Sequence, residues 1–136
     1  MESYGKFKKH GTIHKFIDVA IEEALNSKLK NRHGCVIVCD GNIIGKGCNE
    51  YRKDGHYLSY NNCHGTRTKH AEMVAIKEVH SKGLKKKLKK ATLIVVRLPN
   101  TYDSGHIHHT DCQNSKPCSE CHKVIKKWNI RRVFHS

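Results

Sequence analysis

Cys35-Val36-Ile37-Val38-Cys39-Asp40-Gly41-Asn42-Ile43-Ile44-Gly45 is the stretch from which the fold can be read. Five consecutive apolar residues end at Asp40-Gly41, a pair favoured in type I′ turns because both central residues need positive φ. A second apolar run opens at Asn42. The stretch therefore predicts a buried strand, a two-residue turn and an antiparallel partner. Upstream, Ile13, Phe16, Ile17, Ala20, Ile21, Ala24 and Leu25 recur at i, i+3 and i+4. That spacing predicts an amphipathic helix over residues 12–26, with Lys15, Asp18, Glu22 and Glu23 off the apolar stripe.

Downstream, Thr68 is placed to cap a helix over residues 69–80. The basic run Lys82 to Lys90 is interrupted by Leu84 and Leu88, four apart, and is expected to end in a solvated turn. Thr92 to Leu98 is continuously apolar, as a central parallel strand should be. Pro117 suits the start of a helix over residues 118–128, with Val124, Ile125 and Trp128 packing inward. Arg131-Arg132-Val133-Phe134 reads as a short fourth strand. The order α-β-β-α-β-α-β implies one sheet with helices on both faces. Long polar loops, residues 50–67 and 99–116, separate these elements, and loops of that length are usually functional or mobile.

At 136 residues the chain has room for one domain, residues 1–136, and one core. No run reaches the roughly twenty apolar residues of a membrane helix. The polar, lysine-rich N-terminus lacks a signal peptide's apolar core, so an intracellular, cytoplasmic protein is expected. Seven cysteines, an odd number, accompany twelve histidines. Reduced thiols around a metal fit this better than a disulfide framework. A net charge of +14 favours nucleotide or nucleic-acid partners. Lysine outnumbers arginine, however, and a merely solvated basic surface explains the charge equally well.

Two segments carry chemistry: His70-Ala71-Glu72 and Pro117-Cys118-Ser119-Glu120-Cys121. Cys118 and Cys121, three apart at a helix start, turn their sulfurs the same way, and the helix N-terminus favours thiolates there. His70 supplies an imidazole from the other helix. Three protein ligands leave the fourth tetrahedral position of a Zn²⁺ for water, whose pKa the metal lowers. Glu72, two residues from a ligand, is placed to move protons rather than bind metal. A structural zinc clip would need Cys118, Cys121 and a histidine, but it would not explain Glu72 or Pro117. His-x-Glu with Pro-Cys-x-x-Cys is the signature of zinc deaminases.

On these residues the sequence resembles the cytidine deaminase superfamily, specifically its cytidine and deoxycytidylate deaminase-type domain, over nearly its whole length. The resemblance implies a three-layer α/β/α fold with a mixed sheet. It makes His70, Cys118 and Cys121 the ligands of one catalytic zinc and Glu72 the proton shuttle. It also implies that Asn49 contacts the substrate's sugar or base, and that the amides of Ala71 and Cys118 hold the base. His70 as first ligand, and Ser119 after Cys118, separate the chain from free-cytidine deaminases. Ser119-Glu120 stands where bacterial-type tRNA adenosine deaminases usually have Val-Met. Lys116 intervenes between Ser115 and Pro117, where nucleic-acid-editing cytidine deaminases commonly have serine directly before Pro-Cys. Deoxycytidylate deaminases share the histidine ligand and the long preceding loop, although Asn49-Glu50-Tyr51-Arg52 departs from their frequent Asn-Gly-x-Pro.

The expected reaction is therefore conversion of cytosine to uracil in a nucleotide such as deoxycytidylate. Its rivals are attack on cytosine or adenine within single-stranded nucleic acid or tRNA, and an inactive zinc-stabilised nucleic-acid-binding module, which the intact Glu72 disfavours. The chain stops at the fourth strand, where family members usually continue. Either a short exposed sheet edge paired in a homo-oligomer, or a fragment of a longer chain, is the expectation. His56, Cys63, His64, His106, His108, His109 and Cys112 lie in the long loops. A second, structural zinc there is the lesser reading, because no compact ligand spacing is present. Cys35, Cys39 and Cys48, in or beside the hairpin, read as small core residues.

Overall fold

The computed structural model describes residues 3–6, 13–51, 68–100 and 111–136. Five strands form one mixed sheet: β1 (Ser3–Lys6), β2 (His33–Cys39), β3 (Asn42–Cys48), β6 (Thr92–Arg97) and β7 (Arg132–His135), in the order β1-β7-β6-β2-β3. β1, β7 and β6 run parallel, while β2 is antiparallel to both β6 and β3. A small antiparallel pair, β4 (Glu50–Tyr51) and β5 (Thr68–Lys69), stands apart.

The hairpin turns at Asp40 and Gly41 with φ of 51° and 77°, the double positive φ that a type I′ turn requires. Along β2, Cys35, Ile37 and Cys39 face one side, and Val36 and Val38 the other. β6 repeats the alternation with Leu93 and Val95 against Ile94 and Val96. Both strands are apolar throughout because helices cover both faces. β6 was expected to be a parallel strand, yet it is parallel only to β7; double-sided burial, not strand direction, sets its composition.

Helix α1 (His14–Leu25) covers one face, burying Ile17, Ala20, Ile21 and Ala24. Leu25, expected on the apolar stripe, is 50% exposed at the helix end. A side chain at Gly34 would strike the Ala20 carbonyl and come within 2.6 Å of the Ala24 nitrogen, so only glycine lets α1 lie this close. Helices α2 (Ala71–Ser81) and α3 (Ser119–Lys127) cover the other face around Ala75, Val79 and Ile125, with Val124 and Trp128 partly buried beside them. The basic run is a 3-10 helix over Lys85–Lys90 rather than a solvated turn, because fully buried Leu88 anchors it to this core.

The sheet does not end at the last strand. Ser3–Lys6 pairs in parallel with β7 and supplies a fifth strand, so the edge expected to be bare is covered by the chain's own N-terminal segment. β1 then forms the edge of the sheet on this side. Thr68 does not cap α2 either. Pairing with Tyr51 holds it extended, and the helix begins two residues beyond β5 with His70 at the N-cap position.

Candidate active site

Two helix starts meet above the carboxyl end of β6. His70 occupies the N-cap of α2 and Cys118 the N-cap of α3, both with extended backbone, and Cys121 lies in the first turn of α3. His70 Nδ1 is 3.2 Å from Cys121 Sγ and 3.7 Å from Cys118 Sγ, and the three donor atoms lie within 4.8 Å of one another. Donors around a tetrahedral zinc, at about 2.3 Å for sulfur and about 2.0–2.1 Å for nitrogen, are roughly 3.5–3.8 Å apart. The set fits that ion. Among the described residues it is the one histidine, cysteine and carboxylate group close enough to hold a metal, and Glu72 is not part of it.

Glu72 is 5% exposed in the first turn of α2. Burial raises its carboxyl pKa, while its own backbone amide and the Cys121 side chain pull it back. A buried carboxyl that resists ionisation holds a proton more readily than a surface glutamate does, as an acid–base group needs. Below it, Cys35 is wholly buried; burial, with a further push from Glu72, raises its thiol well above 9.0. It is a core residue, as is Cys39, while Cys48 is half-buried.

A cleft of about 540 Å³ opens over His70, Ala71, Glu72 and Cys118. That is within the usual size of a small-molecule site. Asn49 lines it, 8% exposed, but its carboxamide is heavily engaged. Its Oδ1 accepts from Ser27 Oγ at 2.7 Å and the His33 amide at 2.9 Å, and Nδ2 donates to the Asn31 carbonyl at 2.6 Å. Asn49 thus fastens the 27–33 segment to the end of β3, and its Nδ2 also lies 3.5 Å from His33 Nδ1.

The cleft is also lined by His33 and Arg97, which no sequence motif marks, and by Ser115 and Lys116, which the sequence marks only as the residues before Pro117. Burial lowers His33 from 6.5 to about 4; the Asn31 carbonyl opposes this, while Arg97 and His70 add to it. Ser115 fixes the approach to Pro117-Cys118. Its hydroxyl donates to the Val95 carbonyl at 2.8 Å, and its amide to the Ser136 carbonyl at 3.0 Å. Arg97 had one legible signal, a charge at the end of an apolar strand. The others sit in polar segments where a functional residue looks like any loop residue.

Of the loop cysteines and histidines, Cys112 is half-buried against the α1 core, its thiol raised to about 11 by burial and Asp111. His56, Cys63, His64, His106, His108 and His109 lie outside the described residues.

The profile of the cytidine and deoxycytidylate deaminase zinc-binding region matches residues 11–136. The chain belongs to this family. Solved deaminases share the fold at low identity. A dCMP deaminase from cyanophage S-TIM5 superposes with a TM-score of 0.61 at 18% identity, covering 95% of this chain and 84% of its own. A tRNA deaminase studied for A-to-I editing at the wobble position of transfer RNA gives 0.56 at 21%, covering 89% and 73%. The diaminohydroxyphosphoribosylaminopyrimidine deaminase/5-amino-6-(5-phosphoribosylamino)uracil reductase of Thermotoga maritima gives 0.55 at 26%, covering 94% of this chain and 30% of that larger one. No curated protein matches in sequence. The cytidine and deoxycytidylate deaminase family accounts for the three-layer α/β/α fold and for the zinc-type donor set at the two helix starts.

Proposed function

We propose that this protein is a zinc-dependent hydrolytic deaminase acting on cytosine in a nucleotide such as deoxycytidylate. The observation that carries the reading is the buried carboxyl of Glu72 beside, but outside, the His70–Cys118–Cys121 donor set, at the floor of a cleft of nucleotide size. A structural zinc clip has no use for such a group. Bound there, zinc lowers the pKa of a coordinated water.

The chain's own residues do the rest. Glu72 would take both protons of the attacking water in turn, passing one to the ring nitrogen and the other to the departing amine. Cytosine plus water thereby becomes uracil plus ammonia. The amides of Ala71 and Cys118, at helix starts where intrahelical acceptors are lacking, hold the base. Asn49 keeps the 27–33 wall in place, and contact with the sugar would need Nδ2 to exchange its long His33 Nδ1 contact for the ligand.

Two substitutions test the division of labour. Glu72→Ala should keep zinc and fold yet lose turnover by at least ~10²–10⁴-fold, the range of acid–base groups. Cys118→Ala should lose zinc by metal analysis. Full activity in zinc-loaded Glu72→Ala, or unchanged zinc in Cys118→Ala, would remove the assignment.

A further inference from the structure

We propose that Arg97 reads the 5′-phosphate of the substrate, making the cleft selective for a nucleoside monophosphate over a nucleoside. This rests on the deaminase reading above and extends it to the substrate's other end.

Arg97 is the last residue of β6, half-buried in the cleft wall, and its backbone is pinned from both sides. Its amide donates to Ser136 Oγ at 3.2 Å, and its carbonyl accepts from the Gln113 amide at 2.8 Å. The guanidinium is far less committed. Nη2 donates to Asn31 Oδ1 at 3.2 Å, while Nε is buried with no acceptor among the described residues. No carboxylate pairs with Arg97 there either. A guanidinium presents five donors in a planar fork, and a buried donor left unmatched is costly. Nε itself is out of a ligand's reach, but Arg97 lines the cleft with its guanidinium unpaired by any carboxylate among the described residues, and phosphate oxygens suit its fork.

The rest of the cleft points the same way. Lys30 and Lys116 stand exposed at its rim, and Glu72 is the one carboxyl in its lining among the described residues. An anion entering there meets three permanent cations. His33 pairs with Arg97 across β2 and β6, and both line the cleft that holds His70. A nucleotide with its base over Glu72 can therefore direct its phosphate toward Arg97. The Gln113–Lys116 segment lies beside it, through the Arg97–Gln113 bridge.

The test uses zinc-loaded wild type, Arg97→Ala and Arg97→Lys. Calorimetric titration with dUMP and deoxyuridine reads the phosphate's contribution without turnover. Steady-state kinetics with dCMP and deoxycytidine reads it with turnover. Wild type should bind dUMP well above deoxyuridine. Arg97→Ala should lose at least ~10-fold in dUMP affinity and in the dCMP-to-deoxycytidine ratio of kcat/KM, mainly through KM, with Arg97→Lys recovering part.

Equal binding of dUMP and deoxyuridine, or an unchanged ratio in Arg97→Ala, would overturn the subsite while leaving any observed deamination standing. Arg97-dependent dUMP binding without deamination of any cytosine nucleotide would keep the subsite and remove the reaction. Loss confined to an oligonucleotide lacking a 5′-phosphate would assign Arg97 to a strand phosphodiester and overturn the monophosphate reading.

Discussion

At the position of His33 the fold disfavours the charged imidazole, lowering its pKa from 6.5 to about 4 mainly by burial. A folded value below the unfolded one means that the unfolded chain takes up the proton first. The contribution of His33 to stability is thus complete above about 6.5 and is drawn down as the pH falls toward about 4. Wild type should lose more melting temperature between pH 7 and pH 5 than His33→Gln does. Equal losses would show that His33 is not held neutral. Residues of this kind were hidden from sequence reading, because burial of a loop histidine depends on which segments close over it. His70, Glu72, Cys118 and Cys121 were legible because their chemistry requires fixed residue types at fixed spacing. Asn49 was legible as a position, but the part it plays in holding Ser27, Asn31 and His33 together appears only in three dimensions.

Among the elements, the hairpin, the three helices and the later strands follow from local pattern. The Asp40-Gly41 turn and the unbroken apolar run of β2 need no tertiary information. What periodicity missed depended on distant partners: β1 is a strand because β7 offers it an edge, and Thr68 is extended because Tyr51 pairs with it. Gly34 shows how one residue sets an element's position. Adding a methyl there, in Gly34→Ala, brings it against the Ala20 carbonyl and the Ala24 amide of α1. Backbone atoms cannot swing aside, so α1 must shift, and a loss of about 1–3 kcal/mol is expected from overpacking. Denaturant unfolding measures it; a change within about 0.5 kcal/mol, as for ordinary surface substitutions, would show that α1 has slack.

Across the whole molecule, the densest basic runs lie away from the site. The cleft lies at the carboxyl end of β6, whereas Lys85–Lys90 leads into the other end, where Thr92 pairs with Arg132 of β7. Six residues of strand put roughly 16 Å between the two ends. The cations that could neutralise a nucleic-acid strand, Lys85–Lys90 and Arg131-Arg132, are thus remote from Glu72. Lys85→Glu/Lys86→Glu should leave deamination of dCMP within about two-fold, an electrostatic effect largely screened beyond the ~8–10 Å Debye length. Substrate binding should weaken only shallowly with salt, by about 0.7–0.9 log units for each log unit of salt and for each phosphate held. A steep slope abolished by the charge reversal would return the strand reading.

The central claim, a cytosine nucleotide deaminase, is tested most directly by mass spectrometry of dCMP incubated with zinc-loaded protein, with adenosine monophosphate, a cytosine oligonucleotide and tRNA in parallel. The account predicts conversion of dCMP to dUMP, a gain of about 1 Da as amine becomes carbonyl, with one ammonia released and none from Glu72→Ala. Unchanged dCMP alongside deamination of adenine in tRNA would contradict it.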